Sequence, residues 1–248
     1  MKRTFFFPTD RDVAVIKKLR MYFGQNANIQ QGYIRLEKPL TSTSVDETFT
    51  FGTGQQSGVK RPLERFLSTN DIFVALHLGV FVQKEVDGLD GNNGNAVNYP
   101  YPDLETFNTA VAGTSQSEAN CLESIYNGTI SLKSNTYEVV DRLSLQQYRA
   151  TPETQYYGGS VAAGDVIPAQ QASLGQVGAG FCPLHTVPVF EGKKRNELIF
   201  QHAPGSDVAQ IEGTSSKNVL VFQMLGYLVR NASEAATIAE LAKNGTLM

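Results

Sequence analysis

The stretch Asp71-Ile72-Phe73-Val74-Ala75-Leu76-His77-Leu78-Gly79-Val80-Phe81-Val82-Gln83 decides the fold class. Its β-branched and aromatic residues favour extended backbone. Simple alternation then puts Ile72, Val74, Leu76, Leu78, Val80 and Val82 on one face and Phe73, Ala75, His77, Gly79 and Phe81 on the other. Both sets are apolar, which predicts a strand covered on two sides, at the centre of a domain or at a subunit contact. Residues 219–229, Val219-Leu220-Val221-Phe222-Gln223-Met224-Leu225-Gly226-Tyr227-Leu228-Val229, repeat the pattern.

Outward from these two strands the period of two continues. Ile34, Leu36 and Leu40 alternate with Arg35 and Glu37, and Phe49 and Phe51 alternate with Thr48 and Thr50. Further strands are expected at 125–132, 137–140, 186–190 and 197–201. Near the start, Val13, Ile16, Leu19 and Phe23 have helical spacing, with Thr9 and Asp10 as caps and Gly24 as a stop. A second short helix is expected near the end: Asn231 and Glu234 open it, Ala235, Ala236, Ile238, Ala239, Leu241 and Ala242 form its body, and Asn244-Gly245 closes it. Two polar excursions, 87–118 and 150–183, interrupt the strands and should bury little. Loops of that length serve function or contact with another chain when they are ordered. With no internal repeat and no linker-like shift in composition, residues 1–248 read as a single, mainly β domain, a β-sandwich with short N- and C-terminal helices.

Composition narrows the function classes. A formal net charge of -3 gives the chain no overall positive field for nucleic acid or an anionic membrane, so any such contact must be local. Two local basic clusters qualify, Lys17, Lys18 and Arg20 on the first helix and Lys193, Lys194 and Arg195 in a turn; solvated surface is the simpler reading of each. Cys121 and Cys182 are far apart and outside any metal spacing, and both read as small buried residues. No apolar run is long enough for a signal peptide or a membrane span, so synthesis and retention in the cytoplasm are expected.

Enzyme chemistry finds few carriers. The three histidines are His77, within an apolar strand and so a core or interface residue, and His185 and His202, at strand ends. Gly175-Gln176-Val177-Gly178-Ala179-Gly180 has the wrong order for a dinucleotide loop. The segment 87–95 has closely spaced Asp and Asn, but counting from Asp90 an EF-hand would need Gly where Asn95 stands and an acid where Tyr101 stands. Tight Asp-Gly and Asn-Gly turns account for it. No catalytic residue, metal or cofactor is therefore expected, and the chain reads as a building block that packs against other copies of itself.

The arrangement of 34–40, 71–83, 125–140 and 219–229, with the loops between them, resembles that of jelly-roll capsid proteins of icosahedral bacterial viruses. The resemblance is architectural and spans the strand-bearing two-thirds of the chain. It implies a self-assembling shell subunit, often trimeric, in contact with other virion proteins and located in the virion; single and compact double rolls both stay open. Candidate assembly contacts are Phe5, Phe6 and Phe7, an N-terminal arm of consecutive rings, and the loop residues Tyr99, Tyr101, Tyr156 and Tyr157. The alternative is a ligand- or carbohydrate-binding sandwich of a virion fibre or adhesin, with those tyrosines as stacking platforms. The absence of Trp counts against it.

Overall fold

A computed structural model describes residues 10–24, 27–41, 46–52, 67–86, 98–102, 107, 118–149, 180–203, 216–230 and 232. The elements in chain order are α1 (Asp10–Phe23), β1 (Asn28–Pro39), β2 (Asp46–Phe51), β3 (Ile72–Val86), α2 (Glu118–Glu123), β4 (Thr129–Ser134), β5 (Tyr137–Ser144), β6 (Phe181–Pro183), β7 (Val189–Glu191), β8 (Asn196–Gln201) and β9 (Ser216–Arg230). Single 3₁₀ turns at Ser124–Asn127 and Leu145–Tyr148 flank the β4–β5 hairpin. The expected C-terminal helix lies outside the described residues apart from Ala232.

The strands form two antiparallel sheets. The first runs β1-β9-β3, with β6 and β7 both pairing the far edge of β3; the second runs β2-β8-β4-β5. Their inner faces enclose the main core. Phe222 of β9 meets Phe49 of β2 edge-on at 5.2 Å and Phe200 of β8 at 6.1 Å, and Phe190 of β7 meets Phe51 of β2 at 4.9 Å. These ring pairs tie sheet to sheet, each contributing about 1 kcal/mol beyond its buried area.

Both long strands are buried on two sides, as the apolar run predicts. The face assignment on β3, however, changes partway along it. Ala75 pairs with Gly226 and His77 with Leu225, so Leu76 has no partner: β3 bulges by one residue. Before the bulge, Phe73 and Ala75 face the sandwich core while Ile72, Val74 and Leu76 face outward; after it, Leu78, Val80 and Val82 face the core. The single-face reading of Ile72 to Val82 is therefore corrected. Gly226 makes the bulge possible, because a Cβ there would sit 1.8 Å from the Val74 carbonyl oxygen.

α1 covers the outward residues. Val15 and Leu19 are buried against Ile72, Val74, Leu76, Tyr227 and Val229, each worth about 2 kcal/mol of apolar burial. The helix face is rotated from the expected one, since Val13 is 37% exposed and Val15 takes its place. Gly24 ends the helix at φ +90, a left-handed conformation that suits glycine. Arg11 donates from its guanidinium to the Leu184 carbonyl and pins the first turn to the loop between β6 and β7.

Three further expectations need correction. Ile125 lies in a 3₁₀ turn, and the strand starts only at Thr129. The 87–118 stretch buries more than its polarity suggests: Phe107 is fully buried, Tyr99 pairs backbone with Val82, and Glu118 begins α2. The 150–183 stretch likewise ends in a strand, because β6 pairs with His77, Leu78 and Gly79 of β3.

Replacing Gly226 with alanine is expected to lower unfolding free energy by about 3 kcal/mol, because two backbones would have to part. Urea denaturation measures it; a variant within 0.5 kcal/mol or so of the parent contradicts the bulge geometry.

Candidate interaction surfaces and buried polar site

The basic turn at Lys193, Lys194 and Arg195 carries the chain from β7 in one sheet to β8 in the other. Its shape is set from inside. Asn196 is fully buried; its Nδ2 donates to the Glu191 carbonyl at 3.0 Å and the Lys194 carbonyl at 3.1 Å, and its Oδ1 accepts from Ser134 Oγ at 2.9 Å. The three cations are matched locally, Lys193 and Lys194 to Glu191 at 3.5 and 2.5 Å and Arg195 to Glu197 at 2.7 Å. A hollow of about 260 Å3 opens beside this turn, between Asp71, Asn70, Glu191 and Lys193. On α1, Lys17 and Arg20 are exposed and Lys18 is half-buried.

Of the aromatic candidates, Phe5, Phe6, Phe7, Tyr156 and Tyr157 lie outside the described residues. Tyr99 and Tyr101 are half-buried on either side of Pro100, whose carbonyl accepts from the buried Tyr126 hydroxyl at 2.8 Å. The Tyr99 ring packs edge-on against Phe107 at 5.5 Å, and the Arg149 guanidinium lies 5.4 Å over Tyr101 while pairing with Glu123. Both rings thus make contacts within the chain. The exposed large apolar side chains among the described residues lie elsewhere: Val13 and Met21 on α1, Tyr33 on β1 and Tyr137 on β5.

The histidines occupy three environments. His77, displaced outward by the bulge, is half-buried rather than in the core and faces the first turn of α1. Burial lowers its pKa; Asp12 opposes the shift and Arg11 adds to it. His185 is exposed. His202, at the end of β8, is buried with neither ring nitrogen hydrogen-bonded, its ring edge-on to Phe200 at 4.5 Å. Burial lowers its pKa against the opposing charges of Asp46 and Glu47 on β2. Cys121 is buried as expected, whereas Cys182 is half-buried and donates to the Gln147 carbonyl at 3.0 Å.

One buried polar group escaped sequence reasoning. Lys84 of β3 and Asn218 of β9 are directly opposite each other, both on the core face, and Glu118 at the start of α2 lies over them. Glu118 Oε2 accepts from Lys84 Nζ at 3.2 Å and Oε1 from Asn218 Nδ2 at 2.5 Å. Glu118 is 1% exposed and Asn218 0%. The Phe107 ring lies under Lys84 Nζ at 5.6 Å. The three residues come from positions 84, 118 and 218, so no spacing in the sequence joins them. The only available signal was a Lys and an Asn ending the two most apolar strands.

Among the described residues, no three His, Cys, Asp or Glu side chains converge as a metal site requires, and no helix is long and apolar enough to cross a membrane. The Asp90 loop lies outside the described residues up to position 97; its last four positions, 98–101, are described. Comparison of the chain with protein-family models, with curated proteins and with solved structures gives no match.

His202 gives a pH prediction. Its pKa is lowered in the folded protein, so the neutral ring contributes stability above the unfolded value of 6.5, and this is lost as pH falls below it. His202→Phe, which keeps the ring contact with Phe200 and removes the unpaired nitrogens, is expected to flatten the fall of melting temperature on the acid side of pH 6.5. An unchanged acid limb contradicts the assignment.

Proposed function

We propose that the chain is a non-catalytic shell subunit of a virus, a single jelly roll that assembles with copies of itself. The observation that carries the reading is strand order. β6 and β7 both pair with β3 and count as one interrupted strand, leaving two facing four-membered sheets, β1-β9-β3-β6/β7 and β2-β8-β4-β5. Every connection except β4 to β5 and that internal to β6/β7 crosses from one sheet to the other. Two interleaved Greek keys produce this order, and the jelly roll is common in viral shells.

Fold alone does not carry function, so surface features supply the second support. Among the described residues, β1 and β2 present sheet edges on one flank of the sandwich, and β5 and the interrupted β6/β7 on the other. Edges of this kind are where strand-rich proteins meet other chains unless they are blunted. β5 is distorted by two register shifts and carries Arg142 at φ 46, so β1 and β2 are the edges suited to a regular contact. Exposed Tyr33 lies on β1. Copies meeting there would also bring many of the modest basic clusters together, the condition under which a few phosphate contacts per subunit suffice for a genome.

Sedimentation velocity across a concentration series, with negative-stain imaging of the heaviest fraction, tests the reading. Discrete closed particles or a defined small oligomer that builds them are expected. A protein that stays monomeric up to its solubility limit contradicts it.

A further inference from the structure

The geometry points to a covalent amide cross-link between Lys84 and Asn218, made by the chain itself with Glu118 as the catalytic proton carrier. Lys84 and Asn218 are cross-strand neighbours on the core face, where side chains of opposed residues stand closest. A single carboxylate holds both nitrogens, one on each oxygen, at 3.2 Å for the attacking Nζ and 2.5 Å for the leaving Nδ2. That places the amine and the carboxamide side by side before any reaction, the condition under which an intramolecular step gains most from proximity.

The surroundings suit the chemistry. Lysine is a nucleophile only as the neutral amine, so the step needs a group in contact with the Nζ that can take its proton. Lys84 is 19% exposed and Glu118 2% by side chain, and Phe107 lies against the Nζ. As an ion pair the arrangement carries the desolvation cost of two charges. Converting it to a neutral amide removes that cost and leaves a bond between the two central strands.

The step balances without a co-reactant. Glu118 takes a proton from the Lys84 ammonium, giving a neutral amine and a carboxylic acid. The Nζ lone pair attacks Asn218 Cγ, forming the new C–N bond and placing charge on Oδ1. Glu118 delivers its proton to Nδ2 and receives one from Nζ; the Cγ–Nδ2 bond breaks and ammonia leaves. The product is a Lys–Asn amide, one ammonia and a protonated Glu118, with nothing oxidised or reduced. It happens once per chain, so it is a self-modification and does not depend on the shell reading.

Mass spectrometry of the folded full chain tests it. The expected intact mass is lighter than that of the uncross-linked sequence by one ammonia. Trypsin should spare Lys84 and yield a branched peptide in which residues 66–133 are joined to 218–230. Lys84→Arg and Asn218→Ala are expected to keep their full sequence masses, and Glu118→Gln to keep Lys84 and Asn218 unjoined. Should Glu118→Gln fold poorly, Glu118→Asp, with a carboxylate on a shorter arm, is expected to lose ammonia at least tenfold more slowly. A folded parent at full sequence mass, or an ammonia loss mapped to another peptide, overturns the cross-link. Cross-linking in folded Glu118→Gln, or an undiminished rate in Glu118→Asp, overturns the role of Glu118.

Discussion

The antiparallel ladder between β3 and β9 is the constraint on which the other elements depend. It runs from Ile72↔Val229 to Val86↔Ser216 with one interruption. Both strands are buried on two faces, so each must find apolar cover twice: the second sheet supplies it inside, α1 and the Phe81–Phe181 contact outside. The flanking elements are positioned by what the ladder leaves open. β1 takes the free side of β9 along twelve residues, whereas β7, β6 and the Tyr99 bridge share the free side of β3 in succession. The division falls beside the bulge at Leu76, where the chain leaves the edge of β3 between β6 and β7 and places Leu184 in the main core.

Much of this was legible in the sequence. The two apolar runs declare central strands, and Gly24 declares the end of α1. The bulge was not legible, because nothing in the residues of β3 marks it; the glycine that permits it stands in β9 at position 226, and only pairing brings the two together. The same physics explains the Val13 and Val15 exchange: helical spacing names a stripe, but the tilt of a short helix on a sheet decides which edge of the stripe is buried. Phe107 and Tyr99 were hidden by polar neighbours, since two rings anchoring a long segment leave no periodic trace. Lys84, Glu118 and Asn218 were invisible for a plainer reason, that residues so far apart show their relation only after folding.

Two buried asparagines stand where the chain changes layers. Asn196 satisfies two carbonyls and a hydroxyl at the crossing from β7 to β8. Asn218 does similar work where β1 ends, its carbonyl accepting from Leu40 N at 2.8 Å while its side chain meets Glu118. A buried amide left unpaired costs about 1–3 kcal/mol, so these residues fix which connection goes where more firmly than apolar packing would. The His202 ring, by contrast, is buried with no hydrogen bond at either nitrogen, one residue beyond the end of the β2–β8 pairing.

Amide hydrogen exchange resolved along the chain tests the central claim most directly. The ladder account predicts that 72–82 and 219–229 are the slowest segments and exchange together, at the free energy of global unfolding, with β5 and the edge of β1 faster. Exchange in either central strand as fast as in β5, or protection of one without the other, would contradict it.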